Sequence, residues 1–168
     1  GPYTLAKYTK MPGVEIHSQP FWALAWSYAE VLNQEVRELQ KSGAALVRID
    51  ETELPHFWQD TEKHLEILQV LVAQTDFPRL ALNLGTATLQ GEVTASRYFS
   101  LAFSTFFLDF VQNGRHLSII RVFPKSKTLV AGIMDGEDTH LESEAELQEL
   151  TLAIREHIAA DRLALALN

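Results

Sequence analysis

Apolar residues fall into two kinds of run along this chain. The first kind is short and nearly continuous: "ALVRID" at 45–50, "RLALNL" at 79–84, "TFFLDF" at 105–110, "TLVAGIMD" at 128–135 and "LALAL" at 163–167. Runs of four to eight apolar residues, rich in branched and aromatic side chains, read as buried strands. "YTLAKY" at 3–8, after Gly1-Pro2, reads as a further short strand. The second kind is periodic. Phe21, Ala25, Tyr28, Leu32, Val36 and Leu39 recur at helical spacing and predict a long helix over 18–42. Ser18 suits its N-cap, Pro20 its first turn, and Gly43 its end. Phe21, Trp22, Trp26 and Tyr28 on this helix read as core and sheet-covering contacts. Leu65, Leu68, Leu71 and Val72 predict a second helix over 57–75. Further helices are expected at 94–104, at 114–122, and from a capping box of Ser143 and Glu146 to about 159.

Six strands then alternate with five helices. Strict alternation predicts a parallel α/β sheet, either doubly wound or part of a barrel. Continuous apolar strands suit a parallel sheet covered on both faces. Polar residues collect where strands end: Asp50 and Glu51, Asn83, Asp109, Asp135, Asn168. Both architectures place their ligands at the carboxyl ends of the strands. No glycine-rich phosphate loop follows any strand, so the reading excludes a nucleotide fold of the usual kind.

Composition narrows the chemistry. The 168 residues suit one domain, spanning 1–168, and 46% hydrophobic content is ordinary for a globular protein. A net charge of −8 argues against nucleic acid, which needs clustered Lys and Arg. The absence of Cys excludes disulfides and every thiolate metal site. No apolar run reaches the roughly 18 residues of a membrane span, and no signal peptide opens the chain. The expected compartment is the cytoplasm, with no membrane contact. His17, His56, His64, His116, His140 and His157 show no metal-ligand spacing. Asp135 reads either as a further residue of the strand-end mouth or as the start of an acidic loop with Glu137 and Asp138.

Two stretches carry a family likeness. "GPYTLAK", followed by "YAEVLNQEVRELQKSGAALVRIDETEL", resembles the C-terminal catalytic barrel of cobalamin-independent methionine synthase. There a Gly-Pro-x-Thr segment precedes a long helix, and a strand ending in Asp-Glu follows it. "LVAGIMDGEDTHLESEAELQELTLAIREHIAADRLALALN" is similar to a later block of that domain, down to a final strand that ends in Asn. The resemblance runs in order along nearly the whole chain. It implies the later part of a TIM-type (β/α)8 barrel.

The resemblance also implies an activity: methyl transfer from a folate, 5-methyltetrahydropteroyltriglutamate, to homocysteine in methionine biosynthesis. In that family a zinc ion binds the homocysteine sulfur. Aligning strand ends places one family His on Asn83, one Cys on Gly85 and a Glu on Asp109; the last Cys would lie beyond Asn168. Asp109 is then the one surviving ligand position, and Asn83 and Gly85 are lost ones. No cofactor is therefore expected in this chain, although the family uses zinc. The resemblance assigns Asp50 to the amino group of the substrate, with Glu51 beside it; Thr52 stands where the family has Pro.

Two functional readings follow. One is a methionine-synthase-like methyltransferase domain that is not catalytic by itself. The other is a repurposed small-molecule-binding or interaction domain on the same fold. The expected ligand is an amino acid or a thiol amino acid. Six strands cannot close an eight-stranded barrel, so a homodimer or a partner chain completing the barrel is expected.

Overall fold

Each apolar run at 45–50, 79–84, 105–110, 128–135 and 163–167 becomes a strand in the computed structural model, which describes residues 1–75, 79–136, 139 and 141–168. Glu137, Asp138 and His140, read above as part of an acidic loop and as a non-ligand histidine, lie outside the described residues. The order is α1 (Pro2–Tyr8), α2 (Gln19–Lys41), β1 (Val47–Asp50), α3 (Trp58–Val72), β2 (Leu80–Gly85) and α4 (Gly91–Ser100). It continues with β3 (Thr105–Asp109), α5 (His116–Ile119), β4 (Thr128–Met134), α6 (Glu144–Arg155) and β5 (Leu163–Leu167). Short 3-10 turns at Ile120–Val122 and Ala160–Arg162 follow α5 and precede β5. The expected helices at 94–104 and 114–122 are present, with the first starting earlier and ending earlier.

The segment 3–8 is a helix and not the expected strand, so the described residues hold five strands rather than six. Tyr-Thr-Leu-Ala-Lys-Tyr fits both periods. Its buried residues Tyr3 and Ala6 are three apart, which is helical spacing. Pro2 sits in the first turn, where its fixed φ suits a helix and its missing N–H costs nothing. At the other end of the chain, the Ser143–Glu146 capping box forms as expected. Glu146 Oε2 accepts from the Ser143 N–H at 2.7 Å, and Ser143 Oγ accepts from the Glu146 N–H at 3.3 Å. Ser18 is the N-cap of α2, but its hydroxyl is buried without a partner.

All four strand pairings are parallel, and the strand order is β1-β2-β3-β4-β5. A doubly wound sheet reverses its order at a switch point; this one never does. Right-handed crossovers in unbroken succession put every helix on one face, as in a barrel wall. The register separates the faces. Val47, Ile49, Leu82, Phe106, Leu129 and Ala131 are buried toward the helices. Phe106 anchors that layer in edge-to-face contacts with Phe99 at 5.3 Å, Phe103 at 6.0 Å and Phe123 at 6.0 Å. Trp26, expected in the core, is exposed and bonds Glu30, whereas Phe21 and Trp22 are buried.

The opposite, concave face is only partly covered. Arg48, Asp50 and Ala164 are exposed there, and Asn83, Phe107 and Val130 are half-buried. The continuous apolar strands are thus covered on one face, not two. A kink shapes the mouth: register shifts between Asn83 and Gly85, where Gly85 takes φ +50. Such a left-handed conformation costs a side-chain-bearing residue energy that glycine avoids.

Truncating Phe106 to Ala removes the ring on which three others pack. The expected loss is about 3–5 kcal/mol of unfolding free energy, read from urea denaturation. An unchanged midpoint would mean that the helix layer does not depend on this cluster.

Candidate functional site

The carboxyl ends of β1 to β5 surround a mouth of about 490 Å³ on the concave face. Arg48, Asn83, Phe107, Asp109, Gln112 and Asn168 line it. Period-two alternation sends Arg48 and Asp50 to this face and Ile49 and Glu51 to the other. The Arg48 guanidinium pairs with Asp50 across 2.9 Å and lies over the Phe107 ring at 5.4 Å. Asn83 Nδ2 donates to Asp50 Oδ1 at 2.8 Å, and its own Oδ1 accepts from the Gly85 N–H at 3.0 Å. Asp50 therefore stands at the rim with its carboxylate half-exposed. Asn83 is tied into the strand ends as an adapter between β1 and the Gly85 kink.

Asp109 occupies the floor and is 2% exposed. Its Oδ1 accepts from the backbone N–H groups of Val111 and Gln112 at 2.8 and 2.9 Å; its Oδ2 accepts from Asn168 Nδ2 at 3.0 Å. Asn168 comes close enough that a Cβ on Gly132 would lie 3.1 Å from its Cα, a tight contact that would push the Asn168 backbone outward by a few tenths of an ångström. Asp135 lies beside the mouth, 3.5 Å from the Gln112 amide. Neighbouring His116 is buried against the carbonyls of Asp109 and Ala87. Burial lowers its pKa, with the two carbonyls opposing.

These donors do not fit zinc. Catalytic zinc takes three protein ligands drawn from His, Cys and Asp or Glu and leaves a fourth position open. The chain has no Cys, and among the described residues no group of three or more His, Asp and Glu is placed to hold a metal ion. Both oxygens of Asp109 already serve protein donors, so it is built to order a loop.

Glu51 has a different place from the one expected of it. It is 0% exposed and points away from the mouth, under the start of α1. Oε2 accepts the Tyr3 N–H at 3.1 Å; Oε1 accepts the Thr4 N–H at 2.7 Å and the Thr4 hydroxyl. His64 Nε2 lies 3.4 Å from Oε2, and its Nδ1 meets the Tyr98 hydroxyl at 2.7 Å. A carboxylate so placed caps a helix and cannot touch a ligand in the mouth. Burial pushes its pKa up, but His64 and Thr4 outweigh that and hold it below the ordinary 4.5. Nothing in the sequence motif distinguishes Asp50 from Glu51; the alternation of the strand does.

A parallel, sequentially ordered sheet with helices on one face and a polar mouth at its strand ends defines a barrel-type α/β domain. The model of the cobalamin-independent synthase N-terminal domain matches residues 1–159, and the chain belongs to that family. The sequence resemblance had pointed to the C-terminal catalytic barrel; the matching model is that of the N-terminal domain, and the zinc-ligand alignment of Asn83, Gly85 and Asp109 rested on the former placement. A 5-methyltetrahydropteroyltriglutamate–homocysteine methyltransferase of Halalkalibacterium halodurans is 30% identical over 172 residues, covering 98% of this chain and 22% of that protein. One from Mesembryanthemum crystallinum is 28% identical over 114 residues, covering 64% of this chain and 14% of that protein. This chain thus spans about a fifth or less of these relatives. The fold is that of a B12-independent methionine synthase from Shewanella sp., solved with selenomethionine. The two superpose with a TM-score of 0.81 at 18% identity, over 100% of this chain and 52% of that one.

Removing the Glu51 carboxylate leaves the Tyr3 and Thr4 N–H groups and His64 without an acceptor. Glu51→Ala is expected to cost about 3–5 kcal/mol, and Glu51→Gln less. Because the folded pKa is depressed, the stabilisation is complete above the unfolded value and fades as pH falls through 4.5 and below. Urea unfolding at pH 7 and pH 4 checks both points: Glu51→Gln should show a shallower acid loss than the parent. Equal slopes would remove the carboxylate from the cause.

Proposed function

We propose that this chain is a metal-free domain of a methionine-synthase-like protein, with a mouth that binds the charged head group of an amino acid or thiol amino acid. The carrying observation is the Arg48–Asp50 pair at the rim, which presents one positive and one negative group side by side. A zwitterion complements such a pair: its ammonium can share Asp50 while its carboxylate shares Arg48. The methyl transfer in the relatives' names is proposed as an activity that this chain does not carry alone, since it has no Cys and no cluster of His, Asp and Glu among the described residues is placed to hold zinc. Among the described residues no helix is long and apolar enough to cross a membrane; a cytoplasmic place goes with this proposal.

A second reading, a repurposed binding domain, draws on the saturation of Asp109. An acid with every oxygen engaged by neighbouring N–H groups supports shape rather than chemistry.

Calorimetry with homocysteine, methionine and their desamino analogues tests the main reading. The amino acids should bind and the desamino forms should not. A charge-assisted contact contributes roughly 1.5–3 kcal/mol, so Asp50→Asn should weaken binding about 10-fold or more. Equal binding by Asp50→Asn would overturn the assignment of the mouth. Elemental analysis giving one zinc per chain, resistant to mild chelation, would overturn the metal-free reading.

A further inference from the structure

The loop between α1 and α2 is pinned at one residue. His17 has φ +68, a left-handed conformation that costs a side-chain-bearing residue energy and persists where its surroundings hold it. Three helices hold this one. Nε2 lies 2.6 Å from the Tyr3 hydroxyl on α1, and Nδ1 lies 3.1 Å from Asp60 Oδ2 in the first turn of α3. The ring stacks on Trp22 of α2 at 5.6 Å and 16°. The phenol decides the tautomer. Tyr3 is 2% exposed, and burial pushes its pKa up, with Asp60, Glu53 and Glu51 adding to the shift, so it keeps its proton. Nε2 accepts that proton's hydrogen bond. Nδ1 then carries the imidazole hydrogen and donates it to Asp60. Helix α1 in turn braces the loop after β1. Lys7 Nζ meets Glu53 Oε2 at 2.5 Å, the Tyr8 hydroxyl donates to Glu53 Oε1 at 2.6 Å, and the Glu53 N–H donates to Thr4 Oγ1 at 3.3 Å. Thr52 and Glu53 form one wall of the mouth.

We propose that Tyr3, His17 and Asp60 form a pH-sensitive latch, which holds α1 against α2 and α3 in neutral solution and in mild acid releases α1 and with it the Thr52–Glu53 wall. A proton added at Nε2 turns the acceptor into a donor. The phenol oxygen must then accept, and its own hydrogen is left in a dry interior with no acceptor among the described residues. The groups around the ring pull in both directions. Burial, the largest cause, lowers the His17 pKa; Asp60 of α3 opposes, while His56 of the loop before α3, Lys63 of α3 and Lys7 of α1 add to the lowering. The net direction is down from the ordinary 6.5. A histidine with a depressed folded pKa contributes its full stability above the unfolded value. That contribution is lost as pH falls from 6.5 through the folded pKa. The Glu51 cap fails separately, below 4.5, so the two steps have distinct windows. Any effect on ligand affinity rests on the reading of the mouth given above; the latch itself does not.

Nuclear magnetic resonance on the 168-residue chain, from about pH 8 to about pH 5, tests this. The His17 ring should titrate below 6.5. Amide exchange at Leu5 to Thr9, corrected for its intrinsic pH dependence, should quicken about five- to tenfold with the same midpoint, the worth of one hydrogen bond. His17→Asn keeps a residue that tolerates left-handed backbone and should leave α1 exchange flat over this range. Tyr3→Phe leaves no hydroxyl to strand, so it should raise the His17 pKa and uncouple it from α1 exchange. The parent's two midpoints decide even if neither variant folds. Flat α1 exchange in the parent overturns the proposal, and so does a His17 that titrates at or above 6.5. A step that persists in His17→Asn overturns it too, placing the titrating group elsewhere.

Discussion

One buried carboxylate organises the first third of this fold. Glu51 leaves β1 on the helix-bearing side and receives the first free N–H groups of α1, which would otherwise be orphaned in a dry interior. That contact fixes where α1 starts. Tyr3 is in turn held against Phe21, Trp22 and His64, so α2 and α3 meet over the same point. His64 passes the interaction on to Tyr98 of α4. Burying a charge at this cost is tolerable only because donors surround it. A seven-residue helix has little stability of its own; its place is set by tertiary contact.

The sheet then divides the remaining chemistry. Crossovers of one hand load one face with helices, and that face takes the large apolar side chains. The other face keeps Arg48, Asp50, Asn83 and Asp109, and each is answered by a neighbour across the strand ends: Asp50 by Arg48 and Asn83, Asp109 by Asn168 and the turn after β3. Of these acids, Asp50 at the rim keeps the larger share of its surface. Asp109 is spent on local order. The mouth thus has a firm floor, and the Arg48–Asp50 pair stands exposed at its rim.

Much of this was legible in the pattern of residues. Apolar runs marked the five strands, because the helix-bearing face takes a large apolar side chain at every second position. The Ser143–Glu146 box was legible because both halves of that cap are local in sequence. The cap of α1 was not, since its acceptor lies nearly fifty residues away. Tyr3–Tyr8 offered both periodicities, and Pro2 in the first turn was the signal that should have decided for a helix. At the site, strand ends located the mouth, but adjacency in sequence joined Asp50 and Glu51 as one motif. A strand turns neighbours to opposite faces, so one reaches the mouth and the other a helix start.

The same contact explains why the likeness identifies the family and not which of its domains matches. The likeness rested on Gly-Pro-Tyr-Thr and on Ile49-Asp50-Glu51, stretches that look independent in sequence. In space they are two sides of one cap: Pro2 starts the helix, Thr4 gives its N–H and hydroxyl, and Glu51 accepts them. Their joint presence reports a way of seating a helix on a strand end. It carries no information about sulfur, zinc or methyl transfer, whose ligands would stand on other strands. A motif made by folding can therefore identify the structural unit securely and leave its chemistry to the side chains of the mouth, where this chain has amides and engaged carboxylates.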